Sequence, residues 1–114
     1  MINANLSQYL DNGWYNECEL YYKGYIYFCQ GTNNHVSDPN LHFHFIVYKY
    51  KVEIVEEVYY KRLEPYDNDI DVYDEYASDE YEMKERFLQA KIFEGKSFWE
   101  VEKELAWYEA YGLE

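Results

Sequence analysis

A β-hairpin is predicted by the segment Glu17-Cys-Glu-Leu-Tyr-Tyr-Lys-Gly-Tyr-Ile-Tyr-Phe-Cys-Gln30. Aromatic residues flank the Lys23-Gly24 pair, which suits a tight two-residue turn. With such a turn, paired positions have residue numbers that add to 47, so Cys18 faces Cys29. A slip of one residue would move every side chain to the opposite face of the sheet, and the register is therefore a specific prediction.

A second strand-rich segment follows a loop of Gly, Asn, Asp and Pro residues over positions 30–40. Apolar residues alternate over Leu41–Lys51, which predicts a strand with one buried face. The core-facing set is Leu41, Phe43, Phe45 and Val47, and the opposite set is His42, His44, Ile46, Tyr48 and Tyr50. Strand-like sequence continues to Leu63, too far for one ordinary strand, so we expect a turn near Glu56-Glu57.

Helices are predicted in the C-terminal part, because strand-like sequence gives way to loop and helix at Glu64-Pro65. Apolar spacing predicts a helix over Asp79–Phe93 that ends at Gly95. The Ser97-Phe-Trp-Glu100 segment matches a capping box and predicts a second helix. Its apolar stripe consists of Phe98, Val101, Leu105 and Tyr108. A short first helix is predicted over Ser7–Asn12.

Together these elements predict one α+β domain over residues 1–114, with an antiparallel sheet of three or four strands and two C-terminal helices. A chain of this length buries roughly two-thirds of its unfolded surface, and an aromatic content of 22% argues against disorder. The sequence has neither a signal-peptide pattern nor a run of about 18 apolar residues. We therefore expect a cytoplasmic protein with no membrane contact. Residue types with AT-rich codons, such as Tyr, Asn, Lys and Ile, outnumber Gly, Ala, Arg and Pro, which suggests a low-GC genome, bacterial or phage.

The charge is large and unevenly distributed. The chain has 23 acidic and 10 basic side chains, for a formal net charge of −13. Residues 1–63 hold 7 acids and 5 bases, whereas residues 64–114 hold 16 acids and 5 bases. Direct nucleic-acid binding is disfavoured, because phosphate contacts need clustered Lys and Arg.

Two patterns that resemble metal sites are incomplete. His42 and His44 share one strand face, but a zinc or iron site needs a third and usually a fourth ligand, and a half-exposed sheet face is the favoured interpretation. The run Asp67-Asn-Asp69-Ile-Asp71 opens like an EF-hand loop. Val72 and Ser78 stand where that loop requires Gly and Glu. We expect no metal site and no cofactor.

Catalytic motifs are also missing from the sequence. It contains no Cys-x-x-Cys, no Gly-rich phosphate loop and no Gly-x-Ser-x-Gly. The carboxylates are so numerous that no pair stands out for acid–base chemistry. Cys18 and Cys29 face each other within disulfide distance in the predicted hairpin, although two buried thiols are commoner in a reducing cytosol. We therefore expect a protein that is not an enzyme.

The acidic, tyrosine-rich stretch 64–85 is the main candidate binding site, with ten carboxylates and one basic residue. In an extended chain Asp67, Asp69 and Asp71 project from one face about 6.6 Å apart, roughly half the charge density of one DNA strand. The residues predicted to bind the Arg and Lys side chains of a partner are Asp67, Asp69, Asp71, Asp74, Glu75, Asp79, Glu80 and Glu82, supported by Tyr73 and Tyr76. The competing interpretation is a solvated acidic face that only keeps the protein soluble.

In size, acidity and aromatic content the chain resembles the small inhibitors of host defence that phages and mobile elements encode. These include anti-CRISPR proteins and DNA-mimic inhibitors of restriction enzymes and DNA glycosylases. The likeness covers overall character, with stretch 64–85 as its most specific part, and involves no shared motif. It implies a stoichiometric protein partner with a basic nucleic-acid groove, with a CRISPR effector as first choice and a restriction or repair enzyme as second.

Two other functions compete with nucleic-acid mimicry. One is a small adaptor or regulatory module that docks through its tyrosine-rich sheet surface. The other is a metal-dependent enzyme built around His42 and His44. Salt distinguishes the first from an acidic inhibitor, because aromatic docking survives high ionic strength and phosphate mimicry does not.

Overall fold

The computed structural model describes residues 10–11, 13–56, 59–65 and 68–109. In this part of the chain the α+β class is confirmed, with two helices and six strands in an antiparallel sheet. The strands are β1 (Cys18–Tyr22), β2 (Tyr25–Asn33), β3 (Phe43–Glu56), β4 (Tyr59–Arg62), β5 (Ile70–Ala77) and β6 (Ala106–Glu109), and the helices are α1 (Glu80–Gln89) and α2 (Phe98–Val101). The prediction of three or four strands was too low. Of the predicted N-terminal helix over Ser7–Asn12, the structure describes Leu10 and Asp11, which are helical, and the other four residues lie outside the described ranges.

The hairpin of β1 and β2 has the predicted register. Cys18 pairs with Cys29, and the pairing continues to the turn at Lys23-Gly24. Both turn residues have positive φ, 46° and 87°, a conformation that glycine adopts without strain. The turn chemistry therefore set the register, as the sequence indicated.

Strand β3 is the centre of the sheet. Its residues 43–51 pair with β2 along one edge. Along the other edge it pairs first with β4, through Val52–Glu56, and then with β5, through Phe43–Lys49. Strands β4 and β5 therefore lie end to end along the same edge of β3. Because β3 ends at Glu56 and the antiparallel β4 begins at Tyr59, the chain reverses where the turn was predicted; Glu57 itself lies outside the described residues.

Strand β5 corrects the expectation of loop and helix after Glu64-Pro65. Its residues alternate poorly, and five of its eight side chains are exposed. An edge strand leaves its carboxylates in water, so acidic residues are compatible with strand pairing there. A bulge at Val72 shifts the register between Val47 and Tyr48 of β3.

The C-terminal third corrects two further helix boundaries. Helix α1 ends at Gln89, and Gly95 is not its cap: with Glu94 it forms a turn of positive φ that closes the bridge between Phe93 and Lys96. The capping box at Ser97 is confirmed, but the helix that it opens has only one turn. The chain then forms β6, which pairs with β1 and brings Trp107 opposite Leu20. Burial of Trp107, which is 2% exposed, overrides the helical spacing.

The prediction that Leu41 faces the core is also wrong. Leu41 lies in a 3₁₀ turn over Pro39–Leu41 and is exposed, because Asp38 caps that turn by accepting a hydrogen bond from the backbone N–H of Asn40 at 3.0 Å. The strand therefore starts at Phe43.

The two faces of the sheet are covered differently. The helices pack on the face that carries Phe43, Phe45 and Val47, all of which are buried. There Phe45 contacts Trp14 and Phe87 with ring centroids 4.8 and 5.1 Å apart. We call the opposite face, which carries His44, Ile46, Tyr48 and Tyr50 of β3, the open face. Within the described ranges no helix is long and apolar enough to cross a membrane.

Candidate functional site

Three of the predicted binding residues share the open face. On β5, Asp74 pairs with Ile46, Tyr76 with His44 and Asp71 with Tyr48, and directly paired residues of antiparallel strands point to the same side. All three β5 side chains are exposed. The open face therefore has an acidic border beside its aromatic centre.

His44 ties this border to the middle of the sheet. Its Nε2 lies 2.5 Å from a carboxylate oxygen of Asp74, and its ring stacks on Tyr76 with centroids 4.2 Å apart and planes 6° apart. These contacts hold Asp74 and Tyr76 in place across the edge of the sheet.

Glu75 and Tyr73 point to the other side of β5. Glu75 pairs with Phe45 and Tyr73 with Val47, whose side chains belong to the core face. Glu75 is exposed at the margin of that face, whereas Tyr73 packs against the core and its hydroxyl lies 3.9 Å from the sulfur of Met83. Burial raises the pKa of Tyr73.

Three more of the predicted carboxylates stabilise the start of α1. Asp79 caps the helix by accepting from the backbone N–H of Glu82 at 2.9 Å. Glu82 in turn accepts from the Ser78 hydroxyl and forms an ion pair with Arg86. Glu80 accepts a hydrogen bond from Tyr15, and this bond is the main reason that the pKa of the tyrosine is raised to about 12. These residues lie on the helix layer, away from the open face.

The aspartates before β5 do not form a continuous ladder among the described residues. Asp69 makes an ion pair with Arg62, and both side chains are largely buried. Asp71 follows in the exposed border, and Asp67 lies outside the described residues. The structure therefore brings together Asp69, Asp71, Asp74 and Tyr76 on or beside the open face.

A groove on the open face is the feature that sequence reasoning missed. It has a volume of about 310 Å³. Its lining consists of Glu19, Phe28, Tyr48, Tyr50, Tyr60, Arg62 and Asp69. These side chains come from β1, β2, β3, β4 and the loop before β5, so pairing of distant segments creates the groove. The one signal in the sequence was the position of Glu19, which the hairpin register assigns to the face opposite Cys18 and Leu20.

Hydrogen bonds organise the floor of this groove. The hydroxyls of Tyr60 and Tyr50 donate to Oε1 of Glu19 at 2.6 and 3.1 Å. Burial is the main cause that raises the pKa of both tyrosines. The hydrogen bond with Tyr60 raises the pKa of Tyr50 further, and the hydrogen bond with Glu19 raises that of Tyr60 further. The guanidinium of Arg62 lies over the Tyr50 ring, 3.9 Å from its centroid.

The histidines and cysteines are placed apart from this groove. His42 lies beside the 3₁₀ turn, with Nε2 2.9 Å from the carbonyl oxygen of Val36, and His44 is on the open face. Among the described residues, no group of three or more His, Cys, Asp or Glu side chains is placed to hold a metal ion. Cys18 and Cys29 are both buried and pair opposite each other in the hairpin.

The open face combines negative charge with aromatic surface. Of the described residues on or beside this face, Glu19, Asp69, Asp71 and Asp74 contribute carboxylates and Arg62 contributes a guanidinium. Such a face suits charge-assisted hydrogen bonds to basic groups and stacking on flat ones. No family model, curated protein or solved structure matches the chain.

Proposed function

We propose that the protein is a non-catalytic inhibitor that binds the basic nucleic-acid groove of a partner protein through the open face. The observation that carries the proposal is the placement of β5, because this acidic strand borders an aromatic sheet face that no helix among the described residues covers. Carboxylates and tyrosines thereby share one continuous surface.

The mechanism is competition for the partner's basic side chains. Asp71 and Asp74 accept charge-assisted hydrogen bonds from Arg and Lys residues that otherwise bind phosphates. Tyr76 and Tyr48 supply the flat area on which guanidinium planes stack. Because a bound protein of this size covers the groove, nucleic acid is excluded from it without any chemical step. The proposed site of action is the cytoplasm of a bacterial host.

Displacement of labelled DNA from purified enzymes tests this function. A CRISPR effector nuclease, a restriction endonuclease and a DNA glycosylase are each mixed with labelled DNA and titrated with the protein at about 50 and 200 mM salt. We expect at least one enzyme to release its DNA, with an affinity that falls at the higher salt concentration because exposed charges are screened.

The matched variants locate the surface. Asp71→Asn with Asp74→Asn removes two charges from the open face, and Glu85→Gln with Glu104→Gln removes two exposed charges from the helix layer. We expect the first pair to weaken binding about tenfold and the second by less than about twofold. Equal loss from both pairs, or no displacement from any of the three enzymes, would contradict the proposal.

Aromatic docking is the second candidate function. The rings of Phe28 and Tyr48 stack on the open face with centroids 5.1 Å apart and planes 18° apart, and both are half-buried. A small adaptor module would use this surface without needing the charged border. In that case binding persists at 200 mM salt, as expected for apolar contact, and Tyr48→Ala weakens it more than the loss of Asp71 and Asp74.

A further inference from the structure

The groove on the open face contains a carboxylate, that of Glu19, whose hydrogen bonds from the groove floor involve one of its two oxygens. Both tyrosine hydroxyls on its floor donate to the same oxygen of Glu19, Oε1. The other oxygen, Oε2, accepts no hydrogen bond from the residues that the structure describes. A carboxylate accepts up to four hydrogen bonds, so Glu19 retains acceptor capacity at this position.

The same groove already holds one guanidinium group. Arg62 lies over the face of Tyr50, pairs with Asp69, and donates from Nε to the backbone oxygen of Glu64 at 3.0 Å. A tyrosine face together with a carboxylate therefore binds a guanidinium within this fold. Glu19 and the stacked rings of Phe28 and Tyr48 repeat these two elements on the neighbouring strands.

We propose that the groove binds an arginine side chain of the partner protein, with Oε2 of Glu19 accepting from the guanidinium and the aromatic lining contacting its plane. This inference rests on the proposed function, because it names the group of the basic partner that the open face recognises. Charge selects the ligand: two carboxylates against one guanidinium leave the groove negative, which disfavours anions. Arginine fits better than lysine, since its planar and weakly hydrated group stacks on aromatic rings.

A peptide pair tests the inference without the partner. One peptide is acetyl-Gly-Arg-Gly-amide and the other carries citrulline, which keeps the shape of arginine but has no charge. Each is titrated into isotope-labelled protein while the backbone amide shifts are followed by NMR. We expect the arginine peptide to bind weakly, with a Kd on the order of millimolar, and to shift the amides of Glu19, Phe28 and Tyr48. The citrulline peptide should bind at least about tenfold more weakly.

Two variants with the same change of charge separate the site from the overall field. Glu19→Gln leaves a carbonyl oxygen for Tyr50 and Tyr60 but removes the negative charge. Glu53→Gln removes an exposed charge on β3 at a position that faces away from the groove. We expect about a tenfold loss of affinity for the arginine peptide in the first variant and less than about a twofold loss in the second.

Equal binding of both peptides, equal losses from the two variants, or shifts confined to other residues would overturn the inference. If DNA displacement still depends on Asp71 and Asp74 in that event, the inhibitor function stands and only the arginine site is lost. If the peptide result holds but no enzyme releases DNA, the groove binds arginine and the proposed inhibition is wrong.

Discussion

The two faces of the sheet differ in the side chains that cover them. On the core face alternate residues of β3 are buried under α1 and α2, and the cluster there consists almost wholly of apolar and aromatic side chains. On the open face a small cluster of Ile26, Tyr50 and Val52 is buried as well, but its cover is made by Tyr60 and other half-buried aromatic groups. The core face is closed mainly by apolar packing, whereas the open face is closed partly by the hydrogen bonds of Glu19 and by Arg62. The open face is the surface that we propose binds a partner.

The largest predicted effect is a loss of packing on the core face. Phe45 is 0% exposed and contacts Trp14 and Phe87, so Phe45→Ala should lower the free energy of unfolding by about 3–5 kcal/mol. The neighbouring Ile46→Ala, on the open face and half-buried, should cost about 1 kcal/mol. Urea denaturation of both variants measures the difference, and similar losses would show that the two faces are packed alike.

The second prediction concerns alkaline pH. Tyr50 and Tyr60 on the open face and Tyr27 in the core have raised pKa values, that of Tyr27 to about 12, so the folded protein favours their neutral forms. Their stabilisation is complete below about pH 10, the usual tyrosine pKa, and is lost as the pH rises toward the folded-state values. Each such tyrosine lowers stability by about 1.4 kcal/mol per pH unit in that range.

Replacement of one tyrosine checks this prediction. Tyr60→Phe removes one titrating group, so the slope of unfolding free energy against pH between about 10 and 12 should decrease by that amount. Denaturation curves at several pH values measure the slope. An unchanged slope would mean that Tyr60 ionises equally in the folded and unfolded states.

A smaller effect is expected at the helix layer that covers the core. The Ser97 hydroxyl accepts from the backbone N–H of Glu100, and the Glu100 carboxylate accepts from the backbone N–H of Ser97 at 3.1 Å. Ser97→Ala should therefore cost about 1 kcal/mol in thermal or urea unfolding. Ser97→Asp keeps an acceptor at the cap and should recover most of this loss; a variant as unstable as Ser97→Ala would argue against the cap.

The smallest effect on stability is expected at the acidic border. Asp74 is 54% exposed, so solvent screens its contact with His44, and Asp74→Asn should change the free energy of unfolding by less than about 1 kcal/mol. The same substitution contributes to the loss of partner binding proposed above. A large loss of stability would show that the border is part of the folded framework and not a free surface.

The predicted elements that proved right were those set by neighbouring residues. The Lys23-Gly24 turn fixed the hairpin register, and Ser97 with Glu100 formed the capping box. The errors occurred where distant segments compete. Strand β5 looked like a loop because its carboxylates suit neither a core nor an interior strand. Strand β6 looked helical because Leu105 and Tyr108 continue the apolar spacing that begins at Phe98. Pairing with β3 and β1 decided these two cases.

The candidate site shows the same division. Composition and the position of the acidic stretch pointed to Asp71, Asp74 and Tyr76, which lie together on the open face. Asp79, Glu80 and Glu82 belong to the same acidic stretch, but they lie in the cap and first turn of α1 and not on the open face. Glu19 was not predicted, because a single carboxylate in a strand gives no sign of which tyrosines will surround it.

The amino-acid sequence by itself determined the acidic charge, the hairpin, the capping box at Ser97 and the alternation that divides β3 into two faces. Each of these depends on side chains within a few residues of one another, whose steric and hydrogen-bonding preferences act before the chain folds. Only the tertiary structure decided that β5 lies at the border of the open face and that Tyr50, Tyr60 and Glu19 meet in one groove. Those contacts join residues 31 and 41 positions apart, and the free energy of burying the whole sheet, rather than any local preference, brings them together.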